Sequence, residues 1–186
     1  MEIVGFNHDE LTSGGYAPYT FGMKNLMATP RRMHSVSKTE GSFISTELYQ
    51  WMSGELFFLL ESDLQNTIKT VKKKTGVGGG NSEVDLFNSR TDNMKVFLFS
   101  VRELTGSNYM SVPDEGVQYI RFTGASSLIK RLNNGTTEQA AYWCRSPYAE
   151  SLTSYAKTNY DIIDMNGSVS SRSASSQAGV CFGFCV

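Results

Sequence analysis

The sequence predicts an α+β domain whose helices lie on one side of an antiparallel sheet. Three observations lead there. Apolar residues at helical spacing are confined to one block, from Ser45 to about Gly76. Short bulky or β-branched runs stand before and after it, at residues 1–6, 95–101 and 179–186. Near the C-terminus, Asn166-Gly167 separates two stretches that can pair, and Asn-Gly is the strongest short-range hairpin signal.

Taken in order, Met-Glu-Ile-Val-Gly-Phe (1–6) reads as a short strand, and the Gly14-Gly15 pair after it as a turn. Tyr-Thr-Phe-Gly-Met (19–23) is a second short apolar segment, and 29–41 is a loop by composition. From Ser45 onward Leu48, Met52, Leu56, Leu59 and Leu60 fall on one helical face. Ser62-Asp-Leu-Gln65 fits a capping box, with Leu64, Ile68 and Val71 striping a second helix that ends near Thr75-Gly76. Lys69, Lys72, Lys73 and Lys74 then read as its solvated end, where cations offset the helix dipole. Residues 76–81 (Gly-Val-Gly-Gly-Gly-Asn) read as a surface turn, since no Gly-Lys-Ser/Thr follows to make a phosphate loop. Lys95-Val-Phe-Leu-Phe-Ser-Val is a buried strand, residues 106–116 are polar, and 117–122 is a strand or a loop edge. Arg131-Leu-Asn-Asn-Gly-Thr-Thr is a turn.

Residues 142–186 form a C-terminal unit with apolar ends and a polar, tyrosine-bearing middle. With a two-residue loop at Asn166-Gly167, Met165 faces Ser168, Ile163 faces Ser170 and Asp161 faces Arg172. Tyr148, Tyr155 and Tyr160 stand among Ser, Asn and Asp, a composition that gives large contact area at low entropy cost. Trp143 belongs in the core beneath them with its indole N–H paired, and Arg145 fixes loop carbonyls with its forked donors.

Composition narrows the function. A chain of 186 residues that is 40% hydrophobic is long enough for one domain with a proper core. Its net charge of −1 provides no global field toward nucleic acid or an anionic membrane. No run of eighteen apolar residues and no charged-then-apolar leader is present, so neither a membrane span nor a signal peptide is expected. Three cysteines are an odd number, and Cys181 and Cys185 are too far apart along one strand to bridge, so buried free thiols are expected. The only histidines, His8 and His34, lie far from Cys144 in sequence, and no metal-binding spacing occurs. Neither an enzyme nor a cofactor is expected.

Several spaced motifs then agree. Tyr-Trp-Cys-Arg-Ser-Pro (142–147) resembles the Trp-x-Arg-Ser-Pro signature of a domain family with a C-type-lectin-like fold, found in phage tail, prophage and bacterial surface proteins. Gly-Val-Cys-Phe-Gly-Phe-Cys-Val (179–186) is similar to its closing strand, and Lys95 to Ser100 with Glu103 to its central one. Residues 2–9 and the block from Leu48 through Val71 resemble its opening strand and helix pair. Cys144, Cys181 and Tyr49 depart from the usual residues.

The resemblance implies adjacent N- and C-terminal strands, two helices packed on a small sheet, and long loops. It also implies a non-catalytic phage or prophage display domain that binds a host surface protein or glycan. Other virion subunits would be partners, in a homo-oligomer or otherwise. Some proteins of this fold are diversified by a retroelement that mutates adenines, turning asparagine codons into Tyr, Ser, Asp or Ile. Tyr148, Ser151, Leu152, Ser154, Tyr155, Tyr160, Asp161, Ile162 and Asp164 suit that pattern, and Arg172 joins them as the expected partner of Asp161. Trp143, Arg145, Ser146 and Pro147 are the structural motif. The alternatives are a structural or decoration subunit of the virion, and a bacterial surface adhesin.

Overall fold

The computed structural model describes residues 1–79, 82 and 86–186. It is α+β, with small antiparallel sheets and short helices. The first strands are β1 (Glu2–Phe6) and β2 (Tyr19–Gly22), followed by the two-residue β3 (Arg31–Arg32). Helix α1 (Glu47–Trp51) is capped by Thr46, whose side chain accepts from Tyr49 N at 3.0 Å. It runs on into a π-helical turn over Met52–Leu56.

That turn corrects the helical stripe. Leu48, Met52 and Leu56 are buried as expected, but Leu59 is 79% exposed. A π turn takes an extra residue before closing its hydrogen bond, so the buried row passes from Leu56 to Phe57 and Leu59 swings outward.

The second helix is also shorter than its spacing predicts. Helix α2 spans Ser62–Thr67, with no side-chain cap at its start; Gln65 instead donates to Leu60 O at 2.6 Å. Val71–Gly76 is strand β4, paired with β5 (Ser89–Met94) from Val71↔Met94 to Gly76↔Ser89. Its inward residues are Val71, Lys73 and Thr75, a period of two that overrides the helical spacing once β5 supplies a partner. Lys73 is therefore buried rather than the solvated helix end expected of it. Within the expected turn over 76–81, Gly79 N donates to Thr39 Oγ1 at 2.8 Å, so this segment packs on the chain near Thr39. The last two positions, Gly80 and Asn81, lie outside the described residues.

Strand β6 (Val96–Leu98) leads into α3 (Val101–Thr105), and after a long loop α4 (Ala125–Leu128) precedes β7 (Tyr142–Pro147). Residues 117–122 are loop, with Tyr119 fully buried. Helix α5 (Ser154–Thr158) precedes the hairpin β8 (Asn159–Ile163) and β9 (Val169–Ser173). Short β10 (Gln177–Ala178) pairs with β3, and β11 (Phe182–Cys185) closes the chain.

The main sheet has the order β1-β2-β11-β6, all antiparallel. The first and last strands thus share a sheet but do not touch as expected. β2 lies between them, because it returns against β1 and presents its other edge to β11. The second sheet, β7-β8-β9, joins the first where Arg145 N donates to Phe99 O at 3.0 Å. One apolar core runs from Val4 to Cys185 and includes Phe97, Phe99, Phe122 and Trp143; Trp143 donates its indole N–H to Arg31 O at 2.8 Å. A satellite core holds Leu86, Val112, Tyr148, Ala149 and Ala156.

The hairpin register differs by one residue from the sequence-based pairing. Gly167 N donates to Asp164 O at 3.2 Å, and Gly167 alone in the turn has positive φ, +81°. This is a three-residue loop with glycine in the left-handed position, not a two-residue Asn-Gly turn. The pairs are therefore Ile163↔Val169, Ile162↔Ser170, Asp161↔Ser171 and Tyr160↔Arg172. Asp161 does not face Arg172.

Candidate functional site

The structure sends the ten sequence-predicted contact residues to three places. Tyr160, Asp161 and Ile162 lie on β8, the middle strand of its sheet, and all five β8 residues are buried. A strand covered on both faces has no outward side to display. Tyr160, fully buried, donates its O–H to Thr39 O at 3.4 Å, so it is not the exposed anchor its composition predicted.

The second group is exposed. Ser151, Leu152, Ser154 and Tyr155 face solvent, with Tyr155 55% exposed. Tyr148 is buried beneath them and meets the Tyr155 ring edge-on, with centroids 6.0 Å apart. The loop is pinned at its base, where Ala149 N donates to Met110 O at 2.7 Å and Tyr148 N to Asn159 O at 3.0 Å.

The third group, Asp164 and Arg172, is half-buried and lines a groove of about 410 Å³. This groove lies beside the hairpin tip and is also lined by Pro30, Gln139, Ala140, Ala141, Met165, Asn166, Gln177, Ala178 and Gly179. Asp164 Oδ1 accepts from Asn166 N and Ser168 N, both at 2.8 Å, and Arg172 Nη1 donates to Gln177 O at 2.8 Å.

Trp143, Arg145, Ser146 and Pro147 are all interior, as their structural role predicts. Arg145 is the centre of a buried ionic knot that composition did not reveal. Its guanidinium donates to both oxygens of Glu103, to Leu98 O at 3.0 Å, and to Lys74 O, Glu115 O and Thr75 Oγ1, each at 3.1 Å. Glu103 also accepts from Lys73 at 2.9 Å and closes a capping box with Ser100 at the start of α3. Lys73 in turn donates to Asp9 and to Tyr119 Oη at 2.7 Å. Burial alone would raise the carboxyls of Asp9 and Glu103. Lys73 beside Asp9, and Arg145 with Lys73 beside Glu103, outweigh it and hold both below the usual carboxylate range.

Two further carboxyls go the other way. Burial lifts Glu115 to about 7 against the pull of Arg145 and the hydrogen bonds from Ser146 and Gly76 N. Burial, helped by Glu115, pushes Asp161 well above its usual range, and among the described residues neither Asp161 oxygen has a hydrogen-bond partner. The three cysteines are free and buried. Burial raises all three thiols, with Cys185 pushed up to about 12 beside Asp9. Among the described residues no group of three His, Cys, Asp or Glu is placed to hold a metal ion, and no helix is long and apolar enough to cross a membrane.

Fold and site together describe an α+β domain with a charged interior lock, an outward aromatic loop and a groove at a hairpin tip. The chain matches the DUF6273 family, a domain of unknown function, over residues 20–186. That span is most of its length, and the chain belongs to this family. No curated protein and no solved structure matches it.

Proposed function

We propose that this domain is a non-catalytic binding module with a C-type-lectin-like fold, borne on a phage or prophage particle. Its partner is a host surface protein or glycan, met by the loop over 148–155 and the tip of the β8–β9 hairpin. One observation carries the reading: Tyr155 stands exposed and edge-on to buried Tyr148, above a small apolar core separate from the main one. An exposed aromatic held in place by packing is the kind of residue that anchors an interface. The knot around Arg145 supports a structural interior, because its ions satisfy one another: Lys73 pairs with Asp9 and Glu103, and Arg145 with Glu103. Thiols held protonated are poor nucleophiles, which supports the non-catalytic part.

The test is retention of the labelled domain on host bacterial cells. Tyr155→Ala removes an exposed ring, so its melting temperature should match wild type while retention falls about tenfold or more. Equal retention, or a wild-type domain that no host cell retains, overturns the proposal.

A second reading, a structural or decoration subunit of the virion, draws on Phe58 and Leu59. They stand side by side at 72% and 79% exposure at the end of the first helical segment. An apolar pair in that position suits a subunit contact. It expects self-association in solution that Leu59→Ser abolishes.

A further inference from the structure

The groove at the hairpin tip continues into a neighbouring cavity of about 390 Å³, the two sharing Pro30 and Gln177. Each lobe is large enough for a small ligand. Three arginines line them, Arg172 in the first lobe and Arg31 and Arg32 in the second. Among the described residues none of the three has a carboxylate within ion-pair distance.

The acids of the groove are committed elsewhere. Asp164 Oδ1 accepts two backbone N–H groups of its own turn. Glu47, in the second lobe, accepts from Ser35 N at 2.9 Å and from Ser35 Oγ at 2.7 Å. The arginines are positioned but not saturated. Arg172 spends Nη1 on Gln177 O, and Arg31 lies over the Trp51 ring at 3.6 Å. The groove therefore presents donors in surplus, in a planar fork that suits carboxylates.

The rest of the lining narrows the ligand. Ala140, Ala141, Ala178 and Gly179 have little bulk and leave width for a ring. Exposed Met165 supplies an apolar wall, and the Asn166 and Gln177 amides can bond hydroxyls. We propose that this two-lobed groove binds an acidic glycan through sugar carboxylates held by Arg172 in one lobe and Arg32 in the other. This deepens the receptor-binding reading and rests on it for biological meaning, while the binding itself is measurable alone.

Calorimetric titration of the full chain tests it. The probes are di- and trisaccharides ending in galacturonate, glucuronate or N-acetylneuraminate, with neutral maltotriose, a sulfated disaccharide and tetraglutamate beside them. At least one carboxylated sugar should bind, with maltotriose about tenfold weaker or worse and the affinity falling as salt is added. Arg32→Gln and Arg172→Gln should each weaken it about tenfold, and Arg121→Gln, at an exposed arginine outside both lobes, should leave it unchanged. Arg32 is exposed, so its variant separates lost binding from lost folding should Arg172→Gln melt early.

No carboxylated sugar bound, equal binding of maltotriose, or arginine variants that bind as wild type would each overturn the proposal. So would tighter binding of the sulfated sugar or of tetraglutamate, which would make the groove a site for sulfate or for acidic peptide. Cell retention lost on Tyr155→Ala with no sugar bound leaves the receptor reading standing and removes this one. Sugar bound without any cell retention does the reverse.

Discussion

Replacing Arg145 should come close to unfolding the domain. Its side chain is wholly buried and serves Glu103, three backbone carbonyls and Thr75 Oγ1. Arg145→Met leaves Glu103 beside Lys73 alone, and stripping one partner from a buried pair costs about 3–5 kcal/mol. The carbonyls of Leu98, Lys74 and Glu115 each lose a donor, and buried polar groups left short add about 1 kcal/mol or more apiece. The total, roughly 6–8 kcal/mol, falls within the whole stability of an ordinary domain, about 5–15 kcal/mol. Arg145→Lys keeps the charge but not the fork, so about half that loss is expected. Urea unfolding followed by tryptophan fluorescence reads both variants. Adding Glu103→Gln to Arg145→Met should cost less than the sum of the single changes, because the pair shares one interaction. A loss under about 1 kcal/mol for either Arg145 variant would refute the knot as the lock of the fold.

Two further predictions concern buried acids and the hairpin turn. Glu115 has its folded pKa raised from near 4.5 to about 7, so its contribution to stability is complete below about 4.5 and is lost as pH rises through 7. Asp9 and Glu103 are shifted down, so their contribution is present above about 4 and lost in stronger acid. Asp161 is also shifted up by burial and acts in the same sense as Glu115. Melting temperature should therefore peak on the acid side of neutrality, and Glu115→Gln should make its decline between about pH 5 and 7 shallower, with Asp161 supplying the rest; an unchanged decline sinks this assignment. Gly167→Ala places a Cβ against the Ala125 carbonyl at a φ of +81°, and should cost about 1–3 kcal/mol in urea unfolding. No loss would mean the turn is not the three-residue form.

Much of the frame was legible before any coordinates. The bulky runs at 95–101 and 179–186 hold the buried strands Val96–Leu98 and Phe182–Cys185, shorter than expected since Val101 already opens α3; Trp143 found its indole partner, and Arg145 binds carbonyls with its fork. What failed shares a cause: local signals were read where distant partners decide. Ser62-Asp-Leu-Gln65 and Ser100-Val-Arg-Glu103 carry the same capping signature, but only the second closes a box, its glutamate gripped by Arg145 forty-two residues on. Lys73 looks like one member of a solvated cluster until β5 turns Val71-Lys72-Lys73-Lys74-Thr75 into an alternating strand and Asp9 waits inside. A Val-x-Lys-x-Thr alternation was the one available sign. Of the contact residues, Ser151, Leu152, Ser154 and Tyr155 came out exposed while Tyr148 and the three on β8 did not, because composition cannot tell a tyrosine over a satellite core from one within it or in a middle strand.

The satellite core carries a consequence for how this chain tolerates change. Tyr148, Ala149 and Ala156 anchor the loop to Leu86 and Val112, outside the principal apolar mass. Sequence drift at Ser151, Leu152 and Ser154 is thereby insulated: a poor choice there perturbs this small cluster and leaves the ionic lock untouched. That short segment can therefore vary at little cost to the fold, whereas β8, a few positions downstream and buried along its whole length, is closed to such change.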